Sequence, residues 1–547
     1  MQCLLTSLLA LFMLFGGASA PALAHDKIEE EIYRAAEQGV ASSLALAAHG
    51  FDSAALDRGL HAWYAERSFL PLWIEGAAPS KRAKEARDAI RFCSKDGLRP
   101  DDYFIKHIDA LWHRTDPKGL AKLDLLLTVA VALLAADAIE GRIEPLEIDS
   151  KLFAHARPPR PNLGAIVKTI VYRQDIGKAI GESFPRHRQY EAMREALAQY
   201  REIAAKGGWQ TVGSHRGSSL GPASNKADLA ALASRLQASH DLAQDYVSRG
   251  SFDGDLQGAV SRFQARHGLP ATGEVGRATL AELNIPVEAR IKTLLVNLER
   301  WRWLQRDVAE AKEVLVNIAG FELFALDREE IALQLPVIVG KTYHATPVFS
   351  EFIRYIEVNP YWNVPSSIAA NELLPKLKKD SHYLSSQHMR LYDGWHSNAR
   401  ELAPSTMQWS TISPRQMGRY AIRQDPGPWN ALGTLKFVFP NSFNVYLHDT
   451  PSKGLFAERA RAFSHGCIRV SEPDRLAAFL LDSPADAWNR ERVRHVVADG
   501  ARKIIKLPTP VRIHLTYRTA WVDQDGIVQF RPDIYGRDAL MEDIVAG

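Results

Sequence analysis

The hydrophobic pattern changes period along the chain. From about residue 26 to 205, apolar residues recur at helical spacing, most densely in Leu123 to Ala136, and predict a helical region. From Lys206 to Lys226 that pattern breaks. Gly207, Gly208, Gly213, Gly217, Gly221 and Pro222 crowd in among serines, which reads as a linker. Three short amphipathic helices follow at about 228–284. The first carries Leu229, Leu232 and Leu236, the second runs from Asp255 to His267 with Leu256, Val260 and Phe263 on one face, and the third covers Arg277 to Leu283. Turns at Asp253-Gly254 and Gly268 to Gly273 separate them, and so small a bundle offers little core.

A helix rich in Leu, Arg and Trp (Val287 to Leu304) leads into β texture at Val314 to Ile318, Phe321 to Leu326, Leu333 to Val339, Leu435 to Leu447 and Val511 to Val522. Asp525-Gly526 predicts a hairpin turn into Ile527 to Phe530. Residues 366–419 are polar, aromatic and irregular, and read as an insertion over the β region. The fold expected is multidomain α+β. A helical part spans 25–227, a three-helix unit 228–286, a connecting helix 287–311, and a mainly β domain 312–547 carries the insertion 366–419.

The first residues have a different character. Leu4 to Phe15 is apolar, too short to span a bilayer, and is followed by the small-residue stretch Gly16 to Ala24. This reads as a secretory signal over 1–24, cleaved after Ala22-Leu23-Ala24, although Met1-Gln2-Cys3 lacks the usual positive charge. Export is therefore expected, leaving two cysteines, Cys93 and Cys467. An exported protein can pair cysteines, but Cys93 ends a helix-like run from Ala89 and reads as a buried thiol. Charge is nearly balanced, with Lys+Arg 67 against Asp+Glu 64, and no basic run is interleaved with aromatics, so no nucleic-acid partner is expected.

Reactive residues concentrate in Ser464-His465-Gly466-Cys467-Ile468-Arg469, with Tyr446-Leu447-His448-Asp449 upstream. A cysteine attacks a carbonyl as thiolate and needs a base or cation beside it. His465 is two residues away, and His448 ends a strand-like run joined to Cys467 through a Pro451–Ala462 loop, so either imidazole is a candidate base. Gly466 lets backbone N–H groups approach a substrate oxygen. No Ser-x-x-Lys and no His-Glu-x-x-His occurs, which argues against a penicillin-binding-type serine enzyme and a zinc peptidase. No metal or cofactor is implied.

His448 together with Ser464-His465-Gly466-Cys467 and Arg469 resembles the signature of the L,D-transpeptidases of bacterial cell-wall synthesis. The similarity to their large, periplasmic members continues in Val339-Gly340-Lys341 with Thr346-Pro347, Asn359 to Pro365, Pro426-Gly427 with Asn430 and Leu432-Gly433, Lys436-Phe437 to Pro440-Asn441, and Arg531 to Asp538. The unit at 228–286 resembles a peptidoglycan-binding module through Asp253-Gly254, Phe263-Gln264, Thr272-Gly273 and Thr279. The helical part resembles a scaffold domain through Ala62-Trp63-Tyr64, Pro71-Leu72-Trp73, Asp96-Gly97-Leu98 and Gly141-Arg142-Ile143, and the insertion a capping subdomain.

The resemblance implies a ping-pong reaction. Cys467 attacks the carbonyl between the diamino acid and D-Ala of a stem tetrapeptide. D-Ala leaves, and a second stem's amine resolves the thioester into a 3→3 cross-link. His448 corresponds to the base, and the Gly466 and Cys467 amides to the oxyanion donors. His465 shapes the loop or plays a secondary role, and Ser464 hydrogen-bonds within it. Asp449 orients His448 through its carbonyl, its side chain being either part of that or a surface turn residue. Tyr446 is a phenolic donor or a packed aromatic. Arg469 meets a substrate carboxylate, braces the loop or forms a structural ion pair, and Trp362 lines the cleft or packs in the core. Tyr383, Tyr392, Trp395 and Trp409 are the insertion's aromatic candidates over the cleft, where a flap would exclude water.

The expected partners are peptidoglycan stem peptides, with wall-synthesis or carboxypeptidase enzymes nearby, acting on a periplasmic monomer in a Gram-negative cell. A carbapenem should acylate Cys467, since its strained carbonyl mimics the donor amide. Water as acceptor would make a carboxypeptidase, a lipoprotein lysine an anchoring enzyme, and loss of chemistry a wall-binding scaffold.

Overall fold

The computed structural model describes residues 20–39, 53–151, 163–213, 219–222, 224–304, 312–328 and 330–546. Most of the expected signal segment, including Cys3, lies outside the described residues. Two compact units emerge, one of residues 1–142 and 159–186, the other of 143–158 and 187–547. The division thus falls elsewhere than an unbroken helical body over 25–227.

The first unit is built around helix α1 (Pro117–Glu140), N-capped by Asp116 and buried nearly all round. α1 is long and apolar enough to cross a membrane by length and composition, but its surface is covered by its own unit. Its buried Asp124 accepts hydrogen bonds from the Tyr64 hydroxyl (2.6 Å) and the Leu72 (2.9 Å) and Trp73 (2.7 Å) amides. Burial raises that carboxyl to about 6. The Trp-Tyr and Pro-Leu-Trp signals of the sequence are therefore one staple, tying the helix Ser53–Ala65 and the loop at Leu72-Trp73 to α1. Cys93 is buried at the turn after the helix Lys81–Phe92, and Cys467 is a free thiol.

In the second unit, helix α2 (Arg188–Ala205) packs on α6 (Val287–Arg302). Glu299 of α6 pairs with Arg302 and accepts from the Trp303 indole, all three side chains being buried. The three-helix module comprises α3 (Lys226–Ala238), α4 (Gly254–Arg266) and α5 (Arg277–Leu283). It has a fuller core than its length suggested, with Leu229, Leu232, Leu236, Leu256, Val260, Phe263 and Leu283 all closed off. Buried Gln264 donates to the Glu274 carbonyl (2.7 Å) and Thr279 Oγ1 (2.9 Å) and accepts from the Gly273 amide (2.9 Å). That bridge explains why glutamine, glycine and threonine stand where they do.

The remaining chain forms a closed sheet. Its strands are β1 (Lys312–Asn317), β2 (Glu322–Asp327), β3 (Glu330–Gly340), β4 (Phe349–Val358), β9 (Leu435–Val438), β10 (Leu447–His448), β11 (Ala462–Ser464), β12 (Ile468–Val470) and β13 (Lys503–Thr516). Between β4 and β9 lie β5 (Trp362–Asn363), β6 (Met389–Tyr392), β7 (Glu401–Leu402) and β8 (Ala421–Gln424). The order β11-β3-β12-β10-β9-β4-β13-β1-β2 closes through pairing of β2 with β3. β13 carries Pro508 and Pro510 inside the register shift between Lys506 and Val511, where a missing N–H breaks no ladder bond. β14 (Ala520–Val522) and β15 (Val528–Phe530) form the hairpin expected at Asp525-Gly526.

The insertion is not irregular. β5, β8, β6 and β7 make a second sheet in that order, and short helices over 366–386 pack on it. Val364, Leu373, Leu374, Leu384, Leu391, Trp409, Met417 and Ile422 form its own core. Trp409 is a core residue donating to the Pro404 carbonyl, and the partly buried Trp362 packs against the same core. Tyr383 also packs there, Tyr392 lies beside the Arg423 guanidinium, and only Trp395 of the four candidates is exposed.

Candidate active site

Cys467 and His448 come onto adjacent strand ends because β10 and β12 are parallel neighbours. Leu447 is level with Ile468 and His448 with Arg469, and the Ile468 amide donates to the Tyr446 carbonyl (3.1 Å). Side chains alternate faces along a strand. Tyr446, His448, Cys467 and Arg469 therefore share one face of a two-strand ribbon. The Tyr446 and His448 rings stand 5.8 Å apart, and Lys436 of β9 lies over the Tyr446 ring at 4.3 Å. The Cys467 thiol donates to the Asn444 carbonyl at 3.8 Å.

Electrostatics set the resting protonation. Burial lowers His448 to about 3, the Arg469 charge pushing the same way and the Asp449 carbonyl opposing it. Burial also raises the Cys467 thiol, against the pull of Tyr446, Lys436 and Arg469. Tyr446 is pushed well up, by burial first and the neighbouring Cys467 second, so its phenol stays a donor. The resting pair is a neutral thiol beside a neutral imidazole, not a thiolate–imidazolium pair. Alkylation of Cys467 by iodoacetamide is accordingly expected to stay slow through neutral pH and climb only at more alkaline pH than an ordinary thiol needs. A rate already on its plateau at neutral pH would refute this.

The tautomer of His448 follows from its partner. Its Nδ1 lies 2.5 Å from the Asp449 carbonyl, an acceptor, so Nδ1 carries the proton and Nε2 is left as the basic nitrogen. The Asp449 side chain is buried rather than a surface turn. It accepts from the Thr434 amide (2.9 Å) and hydroxyl (3.0 Å) and from Lys453. Gly433 has φ +60°, and a Cβ there would fall 2.4 Å from Asp449 Cγ.

The Cys467 loop is held by its own groups. The Ser464 hydroxyl donates to the Cys467 carbonyl (2.5 Å) and accepts the Gly466 amide (3.1 Å). Gly466, with φ +115°, thus has its N–H committed, and the expected pair of oxyanion donors is reduced by one. The Cys467 amide has no hydrogen-bond partner among the described residues. Arg469 Nε is likewise buried and unpartnered, and no carboxylate pairs with this guanidinium among the described residues. His465 points elsewhere than the base role, toward Glu372 of the insertion at 2.5 Å.

Two supporting residues stood in the sequence only within quoted motifs, with no role attached. Thr346 Oγ1 donates to the Gly466 carbonyl (2.9 Å) and accepts the Gly340 amide (2.9 Å). The Tyr535 hydroxyl donates to the Gly340 carbonyl (2.6 Å) and accepts the Thr346 amide (3.3 Å). Tyr535 is itself stacked on Tyr517. No local pattern marks this chain of contacts, because its members are up to 195 positions apart. Tyr535→Phe should cost about 1 kcal/mol of stability per lost hydrogen bond and slow acylation of Cys467 about 3–10-fold. Thermal unfolding and the acylation rate, measured together, check it.

Comparison with known proteins places these residues. Residues 311–513 match the family model of the YkuD L,D-transpeptidase catalytic domain, 58–197 the Scaffold domain, and 225–283 the "Putative peptidoglycan binding domain". A Haemophilus influenzae protein named "Putative L,D-transpeptidase" is 35% identical over 225 residues, which are 41% of this chain and 44% of that protein. The chain thus spans less than half the length of that curated relative. A solved L,D-transpeptidase from Stackebrandtia nassauensis covers 56% of this chain and 97% of its own at 13% identity, with a TM-score of 0.21, too low to carry an argument. Cys467, His448 and their neighbours all fall within the matched catalytic stretch. Residues 311–513 thus carry a YkuD L,D-transpeptidase catalytic domain, with a Scaffold domain and a peptidoglycan-binding domain preceding it.

Proposed function

We propose that the protein forms 3→3 cross-links in peptidoglycan through a Cys467 thioester. His448 Nε2 takes the thiol proton as Sγ attacks the carbonyl between the diamino acid and D-Ala of a tetrapeptide stem. The C–N bond breaks and the same proton leaves with the D-Ala amine. An acceptor stem's free amine then attacks the thioester, the C–S bond breaks, and His448 carries the amine proton back to sulfur. The Cys467 amide and the Tyr446 phenol are the donors for the oxyanion. Arg469, with its unpaired Nε, holds a stem carboxylate. The three-helix module binds the wall, and the chain works in the periplasm after export.

The observation that carries this reading is the shared face of Tyr446, His448, Cys467 and Arg469 on parallel β10 and β12. Its test is mass analysis of disaccharide-linked tetrapeptide incubated with the protein, beside Cys467→Ala. The expected product is a dimer lighter than two tetrapeptides by one D-Ala, absent with the variant, and a carbapenem adduct on wild type only. Tripeptide monomer alone would make the enzyme a carboxypeptidase. No turnover and no adduct would overturn the reading.

A further inference from the structure

The insertion reaches the nucleophile loop through one carboxylate. The chain enters and leaves it through β5 and β8, which pair with each other at Asn363–Arg423 and Trp362–Gln424. This two-strand neck is one attachment. Glu372 adds a contact to the Cys467 loop itself: its Oε1 lies 2.5 Å from His465 Nε2, two residues before Cys467.

Glu372 is presented by a defect in its helix. Residues Ala369–Leu373 take π geometry, and the Leu374 amide donates to the Ala369 carbonyl five positions back. The cause is Pro375, which has no N–H to give to the Asn371 carbonyl, so the ladder slips by one. Ala369, Leu373, Leu374 and Leu377 stay in the insertion's core, while Glu372 is turned out to the loop. His344 also lies beside His465, ring centroids 5.0 Å apart, and its own imidazole is lowered by burial, with His465, Lys151 and Lys341 adding and Glu372 opposing. His465 thus contacts both the insertion and the turn whose His344 carbonyl approaches Gly466.

We propose that Glu372 is a positioning residue, a latch that holds the insertion against the nucleophile loop and so decides what resolves the acyl-enzyme. The inference rests on the reaction proposed above. With the latch made, the insertion is seated beside Cys467 and water is kept from the thioester. The pair is half exposed, with side-chain accessibilities of 31% and 46%. Such a contact is weak enough to open for an incoming stem and close again. Glu372 touches no reacting atom in this arrangement. Its effect passes through His465 and the position of the insertion.

The test compares wild type with Glu372→Ala and Glu372→Gln by two readouts. The first is amide hydrogen exchange over 369–377 and 463–470, which needs no substrate. Exchange in both stretches should quicken about two- to five-fold in Glu372→Ala, the worth of a half-exposed side-chain hydrogen bond, with Glu372→Gln between. Unchanged exchange at 463–470 would overturn the latch. The second readout is the ratio of hydrolysed tripeptide to cross-linked dimer, which should rise by a similar factor, whereas a general loss of structure would lower both products together. Faster exchange with an unchanged ratio would overturn the control of acceptor choice. Wild type that releases no D-Ala, yet shows the exchange coupling, would instead sink the proposed reaction and leave the latch standing.

Discussion

His448→Gln should lower kcat/KM for D-Ala release by about 10²–10⁴-fold, the range expected when a positioned general base is removed. The loss is large because the resting thiol has no other help. Cys467 is a raised thiol, so almost no thiolate exists before the base acts, and Lys436 and Arg469 only partly offset burial. His465 does not substitute, since its Nε2 is engaged by Glu372. Glutamine occupies similar space and can donate to the Asp449 carbonyl, so the fold should survive. Burst measurement of D-Ala with a tetrapeptide donor, alongside thermal unfolding, gives the answer. A loss below tenfold with Tm unchanged would remove His448 from the base role. The free-enzyme pH profile follows with a definite sign. His448 is lowered to about 3, so the base is already neutral at pH 5, and its titration sets no acid limb in kcat/KM between pH 5 and 7.

Gly340→Ala is the second change with a large expected effect, and it works by sterics alone. A Cβ at this position would lie 2.0 Å from the His344 carbonyl oxygen and 2.9 Å from the Thr346 nitrogen, both backbone atoms that no rotamer change can move. We expect the variant to lose about 3 kcal/mol or more, at or beyond the upper range of overpacking. The 340–346 turn would open, and with it the Thr346 contact that holds the Gly466 carbonyl. Denaturant unfolding measures the first effect, and carbapenem acylation of whatever folds measures the second. A variant as stable as wild type would show that the turn has another conformation available.

The two halves of the site were legible to different degrees. Cys467, His448, Ser464 and Arg469 stand in two short contiguous stretches whose residue types have no place in a core strand, so the sequence exposed them directly. The strands β1 to β3 were equally plain, because their apolar runs are bounded by turns. The run Leu435 to Leu447 read as continuous β but breaks at 439–446. There the Asn441 side chain accepts the Phe443 and Val445 amides and donates to the Phe439 and Val445 carbonyls, and Asn444 turns left-handed. That break delivers the Asn444 carbonyl to the thiol. The insertion looked irregular since its strands are two to four residues long, too short to show a period. Helix α2 was assigned with the residues before it, yet its packing partner α6 begins 82 positions after α2 ends, and such a contact leaves no local trace. The engaged amide of Gly466 was beyond reach for the same reason in miniature: a serine two residues away can bond either way.

The hydroxyl of Tyr535 lies 22 residues past the end of the matched catalytic stretch, and still props the turn behind the nucleophile. Anyone excising 311–513 to obtain a minimal catalyst would keep every reacting atom and discard the brace. Such a fragment would bind its thiol reagents loosely and turn over poorly, and its weakness would be mistaken for a need for the neighbouring domains. The useful cut lies beyond Asp538, whose carboxylate accepts from the Thr519 hydroxyl and pairs with Arg300 of α6. By the same count, the connecting helix is a structural wall of the enzyme and travels with it.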